Sequence, residues 1–279
     1  MKHVVLRTPD NVDILVQEDG DPSGDPILFI HGFSQCRLSW ARQTASARLR
    51  DFRLVSYDLR GHGSSGKPNH PDFYRDGRRW ADELATVIDG MGLSRPVVVA
   101  WSYAGRIVAD YLATYGDGGL GAINLVGSKT RSDPAFVGVE NAQHQSRMGS
   151  EDLAENIAGT IAFLRTCSER WGEVEFASHL AFNMLVPPNI RRWLHGRAFD
   201  ADALYRAARV PVMFTHGSAD RVVPLAASLE AHRITRGSVL SVYEGVGHAP
   251  FVEASERFND ELAAFVTRRG AAPSSPESK

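Results

Sequence analysis

A chain of 279 residues with 43% apolar and 23% charged side chains has the size and make-up of one large α/β domain or two small ones. Its formal charge of −2 and the lack of any dense Lys/Arg cluster argue against nucleic acid as a partner, and no apolar run is long enough to cross a membrane. Two isolated cysteines, Cys36 and Cys167, show no metal-binding spacing and fit a reducing, cytoplasmic setting, and residues 1–7 lack the apolar stretch of a secretory signal.

Residues 3–7 and 12–17 are β-type runs on either side of Asp10-Asn11, the pattern of an antiparallel hairpin. Pro26-Ile27-Leu28-Phe29-Ile30-His31 is continuously apolar, as a strand covered on both faces would be. Residues 38–50 are expected to be helical and 52–57 extended. An amphipathic helix is expected over 74–91, with Trp80, Leu84, Val87, Ile88 and Met91 on one face. Strands follow at 95–101 and 122–126, separated by a helix through 107–115. From 132 to 208 the composition is helical and rich in large apolar residues such as Phe163, Trp171, Phe182 and Trp193, with no convincing strand. Alternation returns with a strand at 210–216, a helix at 225–234, a strand at 238–243 and a final helix over 250–268.

This order predicts an α/β fold: a mostly parallel eight-stranded sheet with helices on both faces and an inserted helical lid. The core comprises residues 1–131 and 209–269. Residues 132–208 form the insertion, where Pro187-Pro188 and the polar residues between apolar ones suit a lid better than a buried layer. The Ala-, Pro- and Ser-rich tail at 270–279 is expected to be disordered.

Ser102 stands where the apolar run 97–100 meets the helical pattern from Gly105 onward. A serine on a sharp strand-to-helix turn, with small residues two before and two after, has the layout of a nucleophile elbow. Ala100 and Ala104 occupy the places where that pattern usually has glycines. On its own such a serine is equally a helix cap. A serine nucleophile needs a base, and the base needs an orienting carboxylate. Asp220 follows the strand at 210–216 and precedes a Pro-initiated helix, where it could also be a cap. His248 lies in the Gly-flanked loop after the last strand, where it could be structural. The order Ser102, Asp220, His248, each after a predicted strand, is what separates them from these plainer roles. Two N–H donors for an oxyanion are available at Tyr103, next after the serine, and at Phe33, after His31-Gly32.

With these motifs the chain resembles the α/β-hydrolase superfamily over about residues 12–265. The matching segments are His31-Gly32-Phe33, Tyr57-Asp58-Leu59-Arg60-Gly61-His62-Gly63-Ser64-Ser65, the elbow around Ser102, His216-Gly217-Ser218-Ala219-Asp220 with Val223-Pro224, and Gly247-His248. The resemblance implies Ser102 as nucleophile, His248 as base and Asp220 as orienting acid, with Phe33 and Tyr103 lending oxyanion N–H groups. It assigns Asp58, Arg60 and His62 to bracing, and His31 and His216 read likewise. The implied activity is hydrolysis of small, fairly apolar esters or related acyl compounds without metal or organic cofactor, by a monomer or homodimer. Similarity to the cofactor-free haloperoxidase (perhydrolase) and carbon–carbon-bond hydrolase branches keeps those reactions open. A non-catalytic small-molecule receptor is the alternative outside enzymes. Trp101 is expected in the core, Cys36 as an inert buried thiol, and Trp171 and Trp193 as either pocket lining or packing.

Overall fold

The computed structural model describes residues 1–195 and 197–270. The expected hairpin forms from strands β1 (Lys2–Arg7) and β2 (Asp13–Gly20), with Asn11 at φ +63° in the turn. Strand β3 (Pro26–Ile30) is followed by a 3-10 turn (Arg37–Trp40), the one-turn helix α1 (Ala41–Thr44) and strand β4 (Arg53–Tyr57). Helices α2 (Asp72–Arg75) and α3 (Gly77–Gly90) lead to β5 (Val97–Trp101), α4 (Ala104–Tyr115) and β6 (Ala122–Val126). Five helices come next: α5 (Asn141–Met148), α6 (Leu153–Cys167), α7 (Glu173–Met184), α8 (Pro188–Leu194) and α9 (Asp202–Arg206). The chain closes with β7 (Val212–Gly217), α10 (Ala226–Ile234), β8 (Val239–Tyr243), α11 (Pro250–Glu253) and α12 (Ser255–Gly270). The eight strands form one sheet in the order β1-β2-β4-β3-β5-β6-β7-β8, antiparallel at β1–β2–β4 and parallel from there on.

Period-two alternation sends each central strand's side chains to two separate cores. On β5, Val98 and Ala100 join the cluster under α3 and α4, with Trp80, Leu84, Ile107 and Leu112. Val97, Val99 and Trp101 join the opposite cluster, with Trp40, Phe251, Phe258 and Leu262. All five β5 residues are buried, so the run reads as continuously apolar rather than alternating.

Three helical segments are shorter than the sequence suggests. Over 38–50, regular helix stops at Thr44. Leu49 is drawn into the core, and the Gln43 amide donates to the Phe251 carbonyl (2.8 Å) and to Asn259 Oδ1 (3.0 Å). Tertiary contacts therefore hold this segment in place of helical ones. The helix expected over 74–91 breaks at Asp76, whose backbone is extended and whose carboxylate caps the Arg78 N–H at 2.8 Å. The last helix breaks at Ala254. After Gly270, which ends α12, the expected disordered tail lies outside the described residues.

Residues 132–208 run out from β6 and back to β7 through a narrow base. Arg131 and Asp200 form an isolated antiparallel bridge, and Ser132 N–H donates to Phe199 O while Ala201 N–H donates to Thr130 O, both at 2.8 Å. Arg191 on α8 is fully buried. It donates to Met148 O at 2.9 Å, Asn156 Oδ1 at 2.7 Å and the Asn183 carbonyl, tying α8 to α5, α6 and α7.

The loop after β3 is braced by the loop after β4. His31 Nδ1–H donates to Gly32 O (2.9 Å) while Nε2 accepts from Leu59 N–H (3.0 Å). His62 Nδ1–H donates to Arg60 O (2.9 Å) while Nε2 accepts from Ser34 N–H (3.2 Å). Asp58 accepts from the Arg37 and Ser64 amides at 2.8 Å and pairs with the Arg37 guanidinium at 2.6 Å. Arg60, fully buried, pairs with Glu83 and Asp10. Each imidazole is a donor at one nitrogen and an acceptor at the other, which requires the neutral ring. Burial accordingly lowers both pKa values to about 3.

Their ordinary pKa lies higher, so below it the unfolded chain takes up protons that the folded chain refuses. This contribution is present at neutral pH and is lost as pH falls toward 3. Urea unfolding should therefore show a loss of about 2 kcal/mol for each of these histidines between pH 7 and pH 5. Equal stability at the two pH values would contradict the bracing role.

Candidate active site

Ser102 follows directly from β5 and sits at φ +56°, in the left-handed region that non-glycine residues rarely adopt. Its N–H donates to Val126 O at 2.8 Å, and its carbonyl accepts from Ser128 Oγ at 2.8 Å, so neighbouring β6 and its loop hold the turn. Strain of about 1–2 kcal/mol at such a residue persists only where the surroundings over-determine it. Ala100 and Ala104 are fully buried in the α3/α4-side core, which accommodates both methyls. The tight positions lie elsewhere. A Cβ on Gly105 would fall 1.9 Å from Ser128 Oγ, and one on Gly32 would fall 3.3 Å from Ser102 Cβ.

Asp220 and His248 meet because the loops after β7 and β8 lie backbone to backbone. A Cβ on Gly217 would fall 2.1 Å from Gly247 O, and Ala219 N–H donates to Val246 O at 2.9 Å. His248 is held through its main chain on two sides: its N–H donates to Cys167 O (2.7 Å), and its carbonyl accepts from Trp101 Nε1 (2.9 Å). Its Nδ1 is 2.7 Å from Asp220 Oδ2 with both side chains buried. The other Asp220 oxygen accepts from Val222 and Val223 N–H at 2.8 and 2.9 Å. His216 Nε2 donates to Val223 O at 2.8 Å and lies 3.2 Å from Asp220 Oδ2. Burial alone would push the Asp220 carboxyl up, but the two histidines outweigh it and hold the group well below the usual carboxylate range. The carboxylate thus keeps the His248 proton on Nδ1 and leaves Nε2 bare. Among the described residues Nε2 has no hydrogen-bond partner, so Ser102 Oγ is not bonded to it.

Phe33 follows the Gly32 turn, its ring 6.5 Å from that of Tyr103 and 4.6 Å from that of His195. Among the described residues neither the Phe33 nor the Tyr103 amide N–H donates to a protein acceptor.

The model of the alpha/beta hydrolase family matches residues 27–261. This chain belongs to that family. The crystal structure of a proposed aryl esterase from Burkholderia cenocepacia is 36% identical and superposes with a TM-score of 0.93, covering 97% of this chain and all of the other. The esterase RhEst1 from Rhodococcus sp. ECU1013 is 29% identical with a TM-score of 0.88, over 96% and 99% of the two chains. The bifunctional esterase/perhydrolase DCH from Acinetobacter calcoaceticus is 26% identical, over 94% and 98%.

In this hydrolase a cavity of about 130 Å³ adjoins Ser102, and Phe33, Tyr103, Phe163 and Val222 are among its lining. Trp171 and Trp193 do not line it. The first donates to Leu164 O and packs on His179, and the second stacks on Tyr74. Trp101 lies in the core, and burial pushes the Cys36 thiol up to about 12, which leaves it inert. Sequence reasoning missed Gly127, at φ +53°, where a Cβ would fall 3.0 Å from His248 Nδ1. It also missed Arg106, Lys129, His195 and Phe199 in the lining, whose wide separation along the chain carries no signal. Among the described residues no group of three or more His, Cys, Asp or Glu side chains could hold a metal ion. Nor is any described helix long and apolar enough to cross a membrane.

The elbow contacts separate the glycines that matter from the alanines that do not. Gly105→Ala should lower the unfolding free energy by about 1–3 kcal/mol as Ser128 is forced off the Ser102 carbonyl. Ala104→Gly, at the start of α4, should cost no more than about 1 kcal/mol. Denaturant titration of the two variants measures both, and a larger loss for Ala104→Gly would contradict this reading.

Proposed function

We propose that this protein is a serine hydrolase that cleaves small, fairly apolar esters through an acyl-enzyme. The observation that carries the reading is the buried Asp220–His248 hydrogen bond, with His248 Nε2 left bare in a loop at the same carboxyl edge of the sheet as the strained Ser102. His248 takes the Ser102 hydroxyl proton as Oγ attacks the ester carbonyl, and Asp220 steadies the imidazolium that forms. The Phe33 and Tyr103 N–H groups receive the oxyanion, each contributing a few kcal/mol in the transition state. His248 then protonates the departing alkoxide, and a water, deprotonated by the same nitrogen, releases the acid.

The small cavity limits the acyl group to about the bulk of one aromatic ring. Residues 132–208 act as the lid over it, and Phe163 and Leu194 from α6 and α8 supply part of its wall. Two buried, unpaired cysteines fit a cytoplasmic enzyme acting on small molecules. Similarity to a bifunctional esterase/perhydrolase makes peracid formation the second reaction to assay, with hydrogen peroxide replacing water at the acyl-enzyme.

Ser102→Ala should lower kcat toward short-chain 4-nitrophenyl esters by on the order of 10⁴-fold or more, while far-ultraviolet circular dichroism stays unchanged. Wild-type turnover in this variant would refute the proposal.

A further inference from the structure

The cavity beside Ser102 contains two cationic side chains, Arg106 and Lys129, and no Asp or Glu among its described lining residues. Arg106 lies four residues after the serine on α4. Its guanidinium carbon is 4.8 Å from the Phe199 ring centroid and 5.4 Å from that of Tyr103. One of its five donors is bonded to the Arg197 carbonyl, and among the described residues it makes no ion pair. Lys129, three residues past the end of β6, makes neither a hydrogen bond nor an ion pair among the described residues.

The nearby carboxylates are already engaged. Asp110 forms a two-pronged pair with Arg197 at 2.7 and 2.5 Å. Asp133 pairs with Arg131 at 3.2 Å, and Asp220 belongs to His248. Burial lowers the pKa of both cations, and the charge of Arg106 lowers that of Lys129 further. Partly buried cations are ordinarily matched by an anion. Here two face one small cavity with no carboxylate among its described lining residues. A planar guanidinium between aromatic faces, with donors to spare, is built to take a carboxylate.

We propose that this cavity selects esters whose acyl half carries a second carboxylate, held by Arg106 and Lys129. A half-ester of a short dicarboxylic acid is the chemical class that fits. The cavity leaves room for a short carbon chain between the scissile carbonyl and the bound carboxylate. The inference rests on the esterase reading above and changes its acyl group from an apolar to an anionic one.

The test compares kcat/KM for monomethyl glutarate and methyl pentanoate, a charged and a neutral acyl group of similar length. Carboxymethyl pentanoate, which carries its charge in the alcohol half, is the third substrate. The wild type should prefer the glutarate half-ester to the neutral ester by on the order of tenfold or more. That ratio should fall toward one in both Arg106→Gln and Lys129→Gln. Lys129→Gln removes no hydrogen bond among the described residues, so it reports even where Arg106→Gln fails to fold. A wild-type ratio of one or below overturns the proposal, as does a ratio unchanged in the variants or a preference confined to the carboxymethyl ester. Each of those results leaves the esterase reading standing. Failure of the wild type to hydrolyse any of the three esters would instead overturn the esterase reading itself.

Discussion

A fully buried carboxylate governs the architecture of this site. Asp220 has given up its water, and each of its oxygens must find replacements inside the protein. Oδ1 takes two amides from the turn that follows it, and Oδ2 takes His248, with His216 close behind. Removing one partner would leave a buried charge exposed to a low-dielectric interior, at a cost of several kcal/mol. The loops after β7 and β8 are therefore fixed relative to each other, and the glycine at 217 allows them to touch. The orientation of the His248 ring, with its buried and unpartnered Nε2, follows from that constraint.

The parallel part of the sheet brings the remaining groups to the same place. Phe33, Ser102, Asp220 and His248 all lie just beyond the carboxyl ends of parallel strands, where ligands of open α/β sheets bind. The helices between β6 and β7 are joined to this edge. The last residue of α6, Cys167, accepts the His248 N–H, and α8 is cross-braced to its neighbours through Arg191. Helices that shape the cavity wall thus also position the proposed base. A change of substrate preference introduced through α6 would act on His248 too.

Much of this was legible in the sequence. Eight strands stood out because their runs were either continuously apolar or flanked by turn residues, and burial on both faces of β5 produces that signal directly. The order of Ser102, Asp220 and His248 was informative because each follows a strand, and topology then carries them to one edge. Helix lengths were harder to judge. The segment after Arg37 has helical composition, yet Gln43 and Leu49 are held by contacts with residues more than 200 positions away or in the sheet core, which no local pattern encodes. The elbow misled in a different way. The pattern draws attention to Ala100 and Ala104, whereas the sterically closed position is Gly105, with Gly32 tight. The pairing of Arg106 with Lys129 in one cavity was invisible, because they stand 23 positions apart with strand β6 between them.

The central claim is that Ser102 is a nucleophile activated by the Asp220–His248 pair. A fluorophosphonate probe followed by peptide mass mapping tests it most directly, because the probe is attacked only by an activated serine. The account predicts a single covalent adduct on the peptide carrying Ser102, with labelling slowed by orders of magnitude in His248→Gln. Labelling at another serine, or equal labelling rates in the wild type and His248→Gln, would contradict it.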